Sequence, residues 1–281
     1  MSGRIKITTI MDNVSSAPKL LKGKHGLSFC VETESCRVLF DFGAGKASWK
    51  NARKLGFRPE AADFAVGSHG HYDHADGLPF FVEHGLKCPF VTGAGFFRAK
   101  YDCRDLNGSK AAYLGCSFDE AWLMQHGISH RICDSVLELS EDCYVVGGFE
   151  RFYEFETIPE RFVLREEGRW IPDPFDDEVC LALKQQDGLV VIAGCSHPGI
   201  LNILETVRKR FHSPVKAVFG GIHLNSAKEE RVRKTVAGMK QMGIQRIGVN
   251  HCSGNLVQEI LKEEAGLDIC YLGAGDCLFL E

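Results

Sequence analysis

Seven consecutive residues, Ser68-His69-Gly70-His71-Tyr72-Asp73-His74, place three imidazoles and a carboxylate at the end of an apolar run. Residues 62–67 predict a short buried strand, so His69 and His71, two apart in a chain that is still extended, point to the same side. Gly70 allows a tight turn, and Asp73 and His74 follow at the start of a helix predicted over 75–83, where they can face a second ion. Imidazole nitrogen and carboxylate oxygen are ligands of zinc first, with manganese or iron as alternatives. The stretch therefore predicts one or two bound metal ions.

Composition restricts the class of protein. The chain has 281 residues, 44% of them hydrophobic, which supports one large domain over residues 1–281. A net charge of −4 with scattered lysines and arginines gives no basic surface for nucleic acid. No apolar run is long enough for a bilayer or a signal peptide, and twelve cysteines without a Cys-x-x-Cys pair indicate reduced thiols. We expect a cytoplasmic protein with a small-molecule partner, and the sequence leaves its oligomeric state open.

Hydrophobic patterns predict an alternation of strands and helices around an irregular centre. Strands are expected over 4–11, 27–31, 37–42 and 89–92, and a second half begins with a hairpin over 179–193 and ends in a β pair at 269–272 and 277–280. Residues 96–175 are predicted to form an insertion or lid beside the site. They are irregular over 96–130, apart from a helix at 118–126, and again over 149–175, with strands at 136–139 and 144–146 between. Their aromatic stretch 149–175 includes Trp170 and Phe175, which either cover a planar substrate or pin the loop to the body.

Further candidate ligands lie just beyond three strands of the second half. They are Cys195 and His197 after the hairpin, His223 after the next strand, and His251 after the one following. Loops at neighbouring strand ends are where α/β scaffolds build their sites. For His223 a role toward the substrate, or in support of the ligands, is favoured over a direct metal bond.

The stretch 68–74 resembles the His-x-His-x-Asp-His signature of the metallo-β-lactamase superfamily. Residues 194–200, 220–224 and 250–254 are similar to its branch of dihydropterin–ribofuranosylaminobenzene phosphate synthases, and the likeness runs from about residue 4 to 280, most weakly over 95–175. The resemblance implies an α/β fold, a four-layer αββα sandwich with the metals at one edge of its sheets. By motif match it implies two ligand sets, namely His69, His71 and His197, and Asp73, His74 and His251.

The resemblance is incomplete where many members carry a bridging aspartate and a preceding histidine. These positions hold Cys195 and Asp176. Either His197 compensates, or Cys195 binds as a thiolate, or Asp176 or Asp177 approaches the metal, so a one-metal or asymmetric site is an alternative to two ions. Asp41, which ends a strand, is either a turn residue or a carboxylate that braces the metal loop.

The branch implies a transfer reaction in which a pterin methyl diphosphate alkylates an aminobenzene ring. Hydrolysis, with Asp73 orienting a water molecule, is the other scheme, and Asp73 and His223 are the predicted catalytic residues. In both schemes the expected substrate is a small phosphorylated or otherwise anionic molecule with a planar ring, and backbone N–H groups of the turn 194–199 could receive its phosphate. A non-catalytic metal-binding or sensing protein and a diiron redox enzyme are the alternatives; the second would need a glutamate in place of His71.

Overall fold

A computed structural model describes residues 4–104 and 110–281 of the chain. Up to residue 92 it contains the following elements: β1 (Ile5–Met11), β2 (Ser28–Glu32), β3 (Arg37–Phe40), α1 (Lys46–Lys54), a 3₁₀ turn (Pro59–Ala61), β4 (Phe64–Val66), α2 (Tyr72–Ala75), α3 (Leu78–Glu83) and β5 (Phe90–Thr92). The helix expected over 75–83 is thus two short helices, because Pro79 opens a new first turn in α3.

The remaining elements divide at residue 175. Before it lie β6 (Lys100–Cys103), β7 (Ala111–Tyr113), α4 (Glu120–Gln125), β8 (His130–Ile132), β9 (Val136–Ser140), β10 (Cys143–Val146), β11 (Phe162–Glu166) and β12 (Arg169–Pro172). After it lie β13 (Cys180–Gln185), β14 (Gly188–Ala193), α5 (Ile200–Phe211), β15 (Val215–Gly220), α6 (Glu229–Gln241), β16 (Arg246–Val249), α7 (Asn255–Glu263), β17 (Asp268–Tyr271) and β18 (Cys277–Leu280).

Two seven-stranded sheets form the body, with strand orders β18-β1-β2-β3-β4-β5-β8 and β17-β16-β15-β14-β13-β10-β9. Their facing sides share one apolar core, in which Phe29, Val31 and Phe40 from the first sheet join Val190 and Phe219 from the second. The outer side of the first sheet packs on Trp49, Leu78 and Phe81 of its helices, and that of the second on residues of α5, α6 and α7. The layers are helix, sheet, sheet and helix, so the predicted four-layer sandwich is confirmed.

In the centre of the chain α4, β9 and β10 lie where a helix and two strands are predicted, but the stretches expected to be irregular contain further strands. Strands β11 and β12 form a hairpin that pairs with β6 and β7 in a separate four-stranded sheet, while β8 joins the first large sheet and β9 and β10 join the second. The last two strands are also not a pair, since β17 lies beside β16 and β18 lies beside β1. Strand pairing of this kind is set by partners far away in the chain, which a local pattern does not contain. None of the helices within residues 4–104 and 110–281 is long and apolar enough to cross a membrane.

Candidate metal centre

The predicted ligands meet at one edge of the two sheets. Strands β3 and β4 run parallel, as do β14, β15 and β16, so the loops that follow them leave from neighbouring carboxyl ends. These loops carry Asp41, the stretch 68–74, the pair Cys195 and His197, His223, and His251. The arrangement brings together residues that are up to about two hundred positions apart in the chain.

Three buried histidines form the first group. One ring nitrogen from each of His69, His71 and His197 lies within 4.8 Å of the other two. The Nε2 atoms of His69 and His71 are buried and have no hydrogen-bond partner. Burial lowers the pKa of all three imidazoles well below its ordinary value, so they are neutral and keep a lone pair for a metal. Unpartnered buried nitrogens in this arrangement fit a divalent ion.

Hydrogen bonds determine which nitrogen of each ring is available. The Ser68 hydroxyl donates to Asp41 Oδ2 over 2.8 Å, so its oxygen accepts from His69 Nδ1 at 2.9 Å and leaves His69 Nε2 free. His197 Nδ1 donates in the same way to Glu178 Oε2 at 2.7 Å. Ligand histidines in proteins are held by such partners, which fix both tautomer and ring orientation.

A second group lies beside the first. His74 Nδ1 donates to Asp41 Oδ2 at 2.6 Å, and His251 Nδ1 donates to Asn13 Oδ1 at 3.0 Å. Their Nε2 atoms therefore face each other with lone pairs at 3.1 Å, which requires a proton or a metal ion between them. Two nitrogens on one tetrahedral zinc ion are about 3.3 Å apart. Cys195 Sγ lies 3.2 Å from His74 Nε2, and this group therefore fits a metal as well.

Asp73 joins the second group through Oδ2, which lies 3.2 Å from His251 Nε2 and 3.1 Å from His25 Nε2. Burial alone would raise the pKa of Asp73, but His74, His25 and His251 hold it well below its usual range. The carboxylate is therefore charged and able to bind a cation or accept a proton. His25 lies in the loop between β1 and β2 and belongs to no motif, so nothing in the sequence marks it.

Of the three carboxylates expected to support the ligands, Asp41 and Asp177 contact the metal loop and Asp176 does not. Asp41 accepts hydrogen bonds from the Ser68 amide and hydroxyl and from His74, and Asp177 accepts one from the Gly70 amide at 2.8 Å. Asp176 is exposed, and the expectation does not hold for it. Glu178, two residues further, contacts His197 instead. Asp177 and Glu178 are consecutive and both buried, and their carboxylates reach different loops, Asp177 the Gly70 amide and Glu178 the His197 ring. No motif marked Glu178.

The expected substrate-covering aromatics are used differently. Phe175 is buried and stacks on His197, with ring centroids 3.9 Å apart and an 11° angle between the planes. Trp170 packs on Tyr101 and Arg165 within the small sheet. Phe175 therefore holds the His197 ring in place, and Phe162 lies beside the rings of His71, His197 and His223, with centroids 5.9, 5.6 and 5.7 Å away. His223 lies at the rim, with its ring 4.5 Å from that of His197.

The turn 194–199 is not open to phosphate. The carboxylate of Glu178 accepts the amides of Ser196 and His197, and that of Glu156 accepts those of Leu201 at 3.1 Å and Asn202 at 2.9 Å. The first turn of α5 is thus satisfied by protein carboxylates, and the phosphate site expected there is wrong. Glu156 lies 45 residues before Leu201, in a loop whose position the local sequence pattern does not predict.

Backbone conformation is unusual around the centre. Among the described residues, seven that are not glycine have positive φ, and Asp41, Phe175, Ser196, His223 and His251 are five of them. Each such residue costs roughly 1–3 kcal/mol and persists only where its surroundings impose it. Their concentration at one edge indicates that the fold accepts local strain in order to aim these side chains.

The architecture and the positions of the histidine-bearing loops define a protein with the metallo-β-lactamase fold. In sequence the chain is similar to the 7,8-dihydropterin-6-methyl-4-(β-D-ribofuranosyl)-aminobenzene-5′-phosphate synthase of Methanocaldococcus jannaschii, 28% identical over 299 residues that cover 96% of this chain and 95% of that protein. The resemblance seen in the motifs is therefore confirmed.

Solved structures agree with this placement. The crystal structure of a metal-dependent hydrolase of the β-lactamase superfamily matches with a TM-score of 0.83 and 29% identity, covering 99% of this chain and 98% of that one. A diphosphatase of the PhnP family matches with a TM-score of 0.56 over 99% of this chain and 97% of its own, and at 12% identity it shows the fold alone. No protein-family model matches the chain.

The three neutral histidines predict a pH effect on stability. In the unfolded chain they take up protons below about pH 6.5, whereas in the fold their lowered pKa values keep them unprotonated. The unfolded state then binds more protons, so the metal-free protein should lose about 1.4 kcal/mol per pH unit for each histidine as pH falls below 6.5. Urea unfolding of metal-free protein between pH 7.5 and 5 measures this, and His69→Gln should reduce the slope. An unchanged midpoint across that range would contradict it.

Glu178→Gln tests the carboxylate behind His197. Glutamine has a single oxygen for the hydrogen bonds that Glu178 accepts from the amides of Ser196 and His197 and from His197 Nδ1, so the ring is held less firmly and becomes a weaker ligand. We expect the affinity for zinc to fall about 10- to 100-fold, with the melting temperature little changed after metal loading. Competition with a chelator of known affinity measures it. The exposed neighbour Asp176, changed to asparagine, is the matched control and should leave the affinity unchanged.

Proposed function

We propose that the protein is a metal-dependent enzyme that acts on a small phosphorylated substrate of the pterin or aminobenzene type. The observation that carries this proposal is that the unpartnered Nε2 atoms of His69 and His71 converge with His197, next to a second group of imidazoles and an ionised aspartate. Buried polar atoms without partners are rare and point to a missing ligand. A group built only for structure would not need a charged carboxylate next to it.

The residues that would hold metal fall into the two groups that their positions define. His69, His71 and His197 would hold one ion, and His74, Asp73 and His251 with Cys195 would hold the other; zinc is favoured, with manganese or iron as alternatives. When bound, such an ion supplies a Lewis acid that stabilises negative charge on an oxygen of the substrate.

Side chains at the rim of the site support an anionic substrate. The pKa of His223 is lowered to about 4, first by burial and then by the positive charges of Arg161 and Arg231. The guanidinium of Arg161 lies 4.9 Å over the ring of Phe162, which itself borders His71 and His197. Positive potential at this rim favours a phosphate group, and neutral His223 can orient it by a hydrogen bond.

Asp73 is the residue best placed to move a proton. Because its pKa is held low, it is available as an acceptor at neutral pH, and its Oδ2 is within 3.2 Å of His251 and His25. In hydrolysis it would accept a proton from the attacking water. In transfer it would accept a proton from the aminobenzene ring that is alkylated, while the diphosphate departs.

The experiment compares the two reactions directly. Zinc-loaded protein is incubated with a panel of phosphate esters and diphosphates, and separately with a dihydropterin methyl diphosphate and a ribofuranosylaminobenzene phosphate. Similarity to a synthase supports the transfer reaction, and similarity to a metal-dependent hydrolase supports hydrolysis. Turnover in either that is abolished by Asp73→Asn and kept by His126→Ala, a change at an exposed histidine, supports the proposal. Metal binding without turnover of any of them would favour a metal-binding or sensing protein.

A further inference from the structure

A second thiol lies behind the second metal position. Cys252 follows His251 in the loop after β16, and both Cys195 and Cys252 are buried, with 3% and 6% of their surface exposed. Their Sγ atoms and a ring nitrogen of His251 all lie within 4.8 Å of one another. Other buried thiols, such as Cys30 and Cys180, belong to apolar clusters of the core. Cys195 and Cys252 differ from these core thiols because they lie beside an imidazole at the edge of the proposed metal site.

The backbone brings the two sulfurs together at some cost. His251 adopts a left-handed conformation with φ of 51°, and its amide donates to Asp12 Oδ1 at 2.8 Å. A Cβ atom on Gly221 would lie 2.6 Å from Cys252 Sγ and 2.5 Å from the carbonyl oxygen of Gly194. Only glycine at position 221 therefore lets the loops after β14 and β16 approach closely enough to place Cys252 against Cys195.

We propose that Cys195, Cys252 and His251 bind a soft divalent ion of the zinc class through two thiolates and an imidazole. The second metal position is then rich in sulfur and differs in kind from the three imidazoles beside it. This inference deepens the proposed function and rests on it for the presence of metal. Each thiol that binds releases one proton to solvent, and no oxidation or reduction is involved.

The spacing is compatible with such a site. Two sulfurs on a tetrahedral zinc ion at about 2.3 Å are about 3.8 Å apart, which the observed group reaches with small side-chain rotations. Thiolate ligands favour zinc, cadmium or cobalt over magnesium and manganese, which prefer oxygen. The missing bridging carboxylate is thus replaced by ligands of a different chemical type, and metal selectivity changes with it.

Cobalt substitution tests the proposal, since thiolate ligands produce a sulfur-to-cobalt charge-transfer absorption in the near ultraviolet that imidazoles and carboxylates do not. Metal-free protein, kept reduced, is titrated with Co²⁺. We expect the wild type to show this band, Cys252→Ser and Cys195→Ser each to lose about half of it, and the double variant to lose all of it. Cys270→Ser, a half-buried thiol on β17, is the control and should keep the full band.

The outcomes separate this proposal from the proposed function. If Co²⁺ does not bind at all, both fail. If it binds with visible d–d bands but without a charge-transfer band, or if Cys252→Ser keeps the full band at the same stoichiometry, the sulfur-rich site alone is overturned. Should Cys252→Ser not fold, zinc X-ray absorption on the wild type decides, with the mean number of sulfur ligands per zinc multiplied by the measured zinc content. A total near two sulfurs at about 2.3 Å per protein molecule supports the site, and a total of one or none overturns it.

Discussion

Replacing Lys100 by methionine should lower the free energy of unfolding by about 3–5 kcal/mol. Lys100 is 1% exposed, and its Nζ lies 2.9 Å from Asp173 Oδ2 and 2.8 Å from Asp177 Oδ1. Burial alone would lower the pKa of Lys100, but the two carboxylates raise it, so the lysine is charged. Methionine fills similar space while it leaves two buried carboxylates without a cation. Removing one partner of a buried ion pair is far more costly than the pair is stabilising.

The effect of this substitution should extend to the metal centre. The other oxygen of Asp177 accepts the Gly70 amide between His69 and His71, so loss of Lys100 frees the carboxylate that holds the metal loop. Denaturant unfolding of the metal-free protein gives the stability, and zinc affinity gives the effect on the site. Lys87→Met, at an exposed lysine, is the control and should stay within about 0.5 kcal/mol of wild type. A loss below about 1 kcal/mol for Lys100→Met would show that the ion pairs of Lys100 with Asp173 and Asp177 contribute little.

His71→Ala should remove the metal from the three-histidine group and abolish activity while the fold survives. Even partners that only support a ligand change affinity or activity 10- to 100-fold, so loss of a ligand should exceed about a hundredfold. The sheets are held by their shared apolar core, which does not include His71. Elemental analysis, far-ultraviolet circular dichroism and turnover are measured on one preparation.

His126→Ala is the matched control for that experiment, because this exposed histidine stacks on Trp122 at the end of α4 and contacts none of the ligands described above. It should keep metal and activity. If His71→Ala unfolds outright, the metal stabilises the fold and the catalytic proposal loses its main support. If the variant keeps both metal and turnover, His71 is not a ligand.

Local pattern was sufficient for much of the body of the protein. Strands β1, β2 and β3 and the hairpin of β13 and β14 lie within a residue or two of the bounds predicted for them. Hydrophobic residues recur with a strong period in these strands, and a place in either large sheet buries the hydrophobic side. The same approach failed for β6, β11 and β12, which are short and partly exposed and form a sheet of their own. The pairing that joins β11 to β6, such as Phe162 with Asp102, spans about sixty residues and lies beyond the reach of a window on the sequence.

The candidate ligands and their partners also differ in whether a local pattern in the sequence reveals them. His69, His71, Asp73 and His74 are adjacent in the chain, so their spacing alone indicated a metal, and His197 and His251 followed because they come directly after predicted strands. Glu178, His25, Asn13 and Cys252 carry no spacing signal. Each acquires its role only through a contact made across the fold, such as Glu178 with His197 or Cys252 with Cys195.

By itself the sequence determined the chemistry available, which is a cluster of imidazoles, a carboxylate and a thiol at strand ends, and the layered fold that presents them. Only the tertiary structure decided which oxygen fixes each tautomer, that Phe175 supports His197 and not a substrate, and that Glu156 and Glu178 fill the turn expected for phosphate. The reason is that ligand type is a property of single residues, whereas tautomer, burial and occupancy of a donor depend on groups from distant segments that share no local pattern.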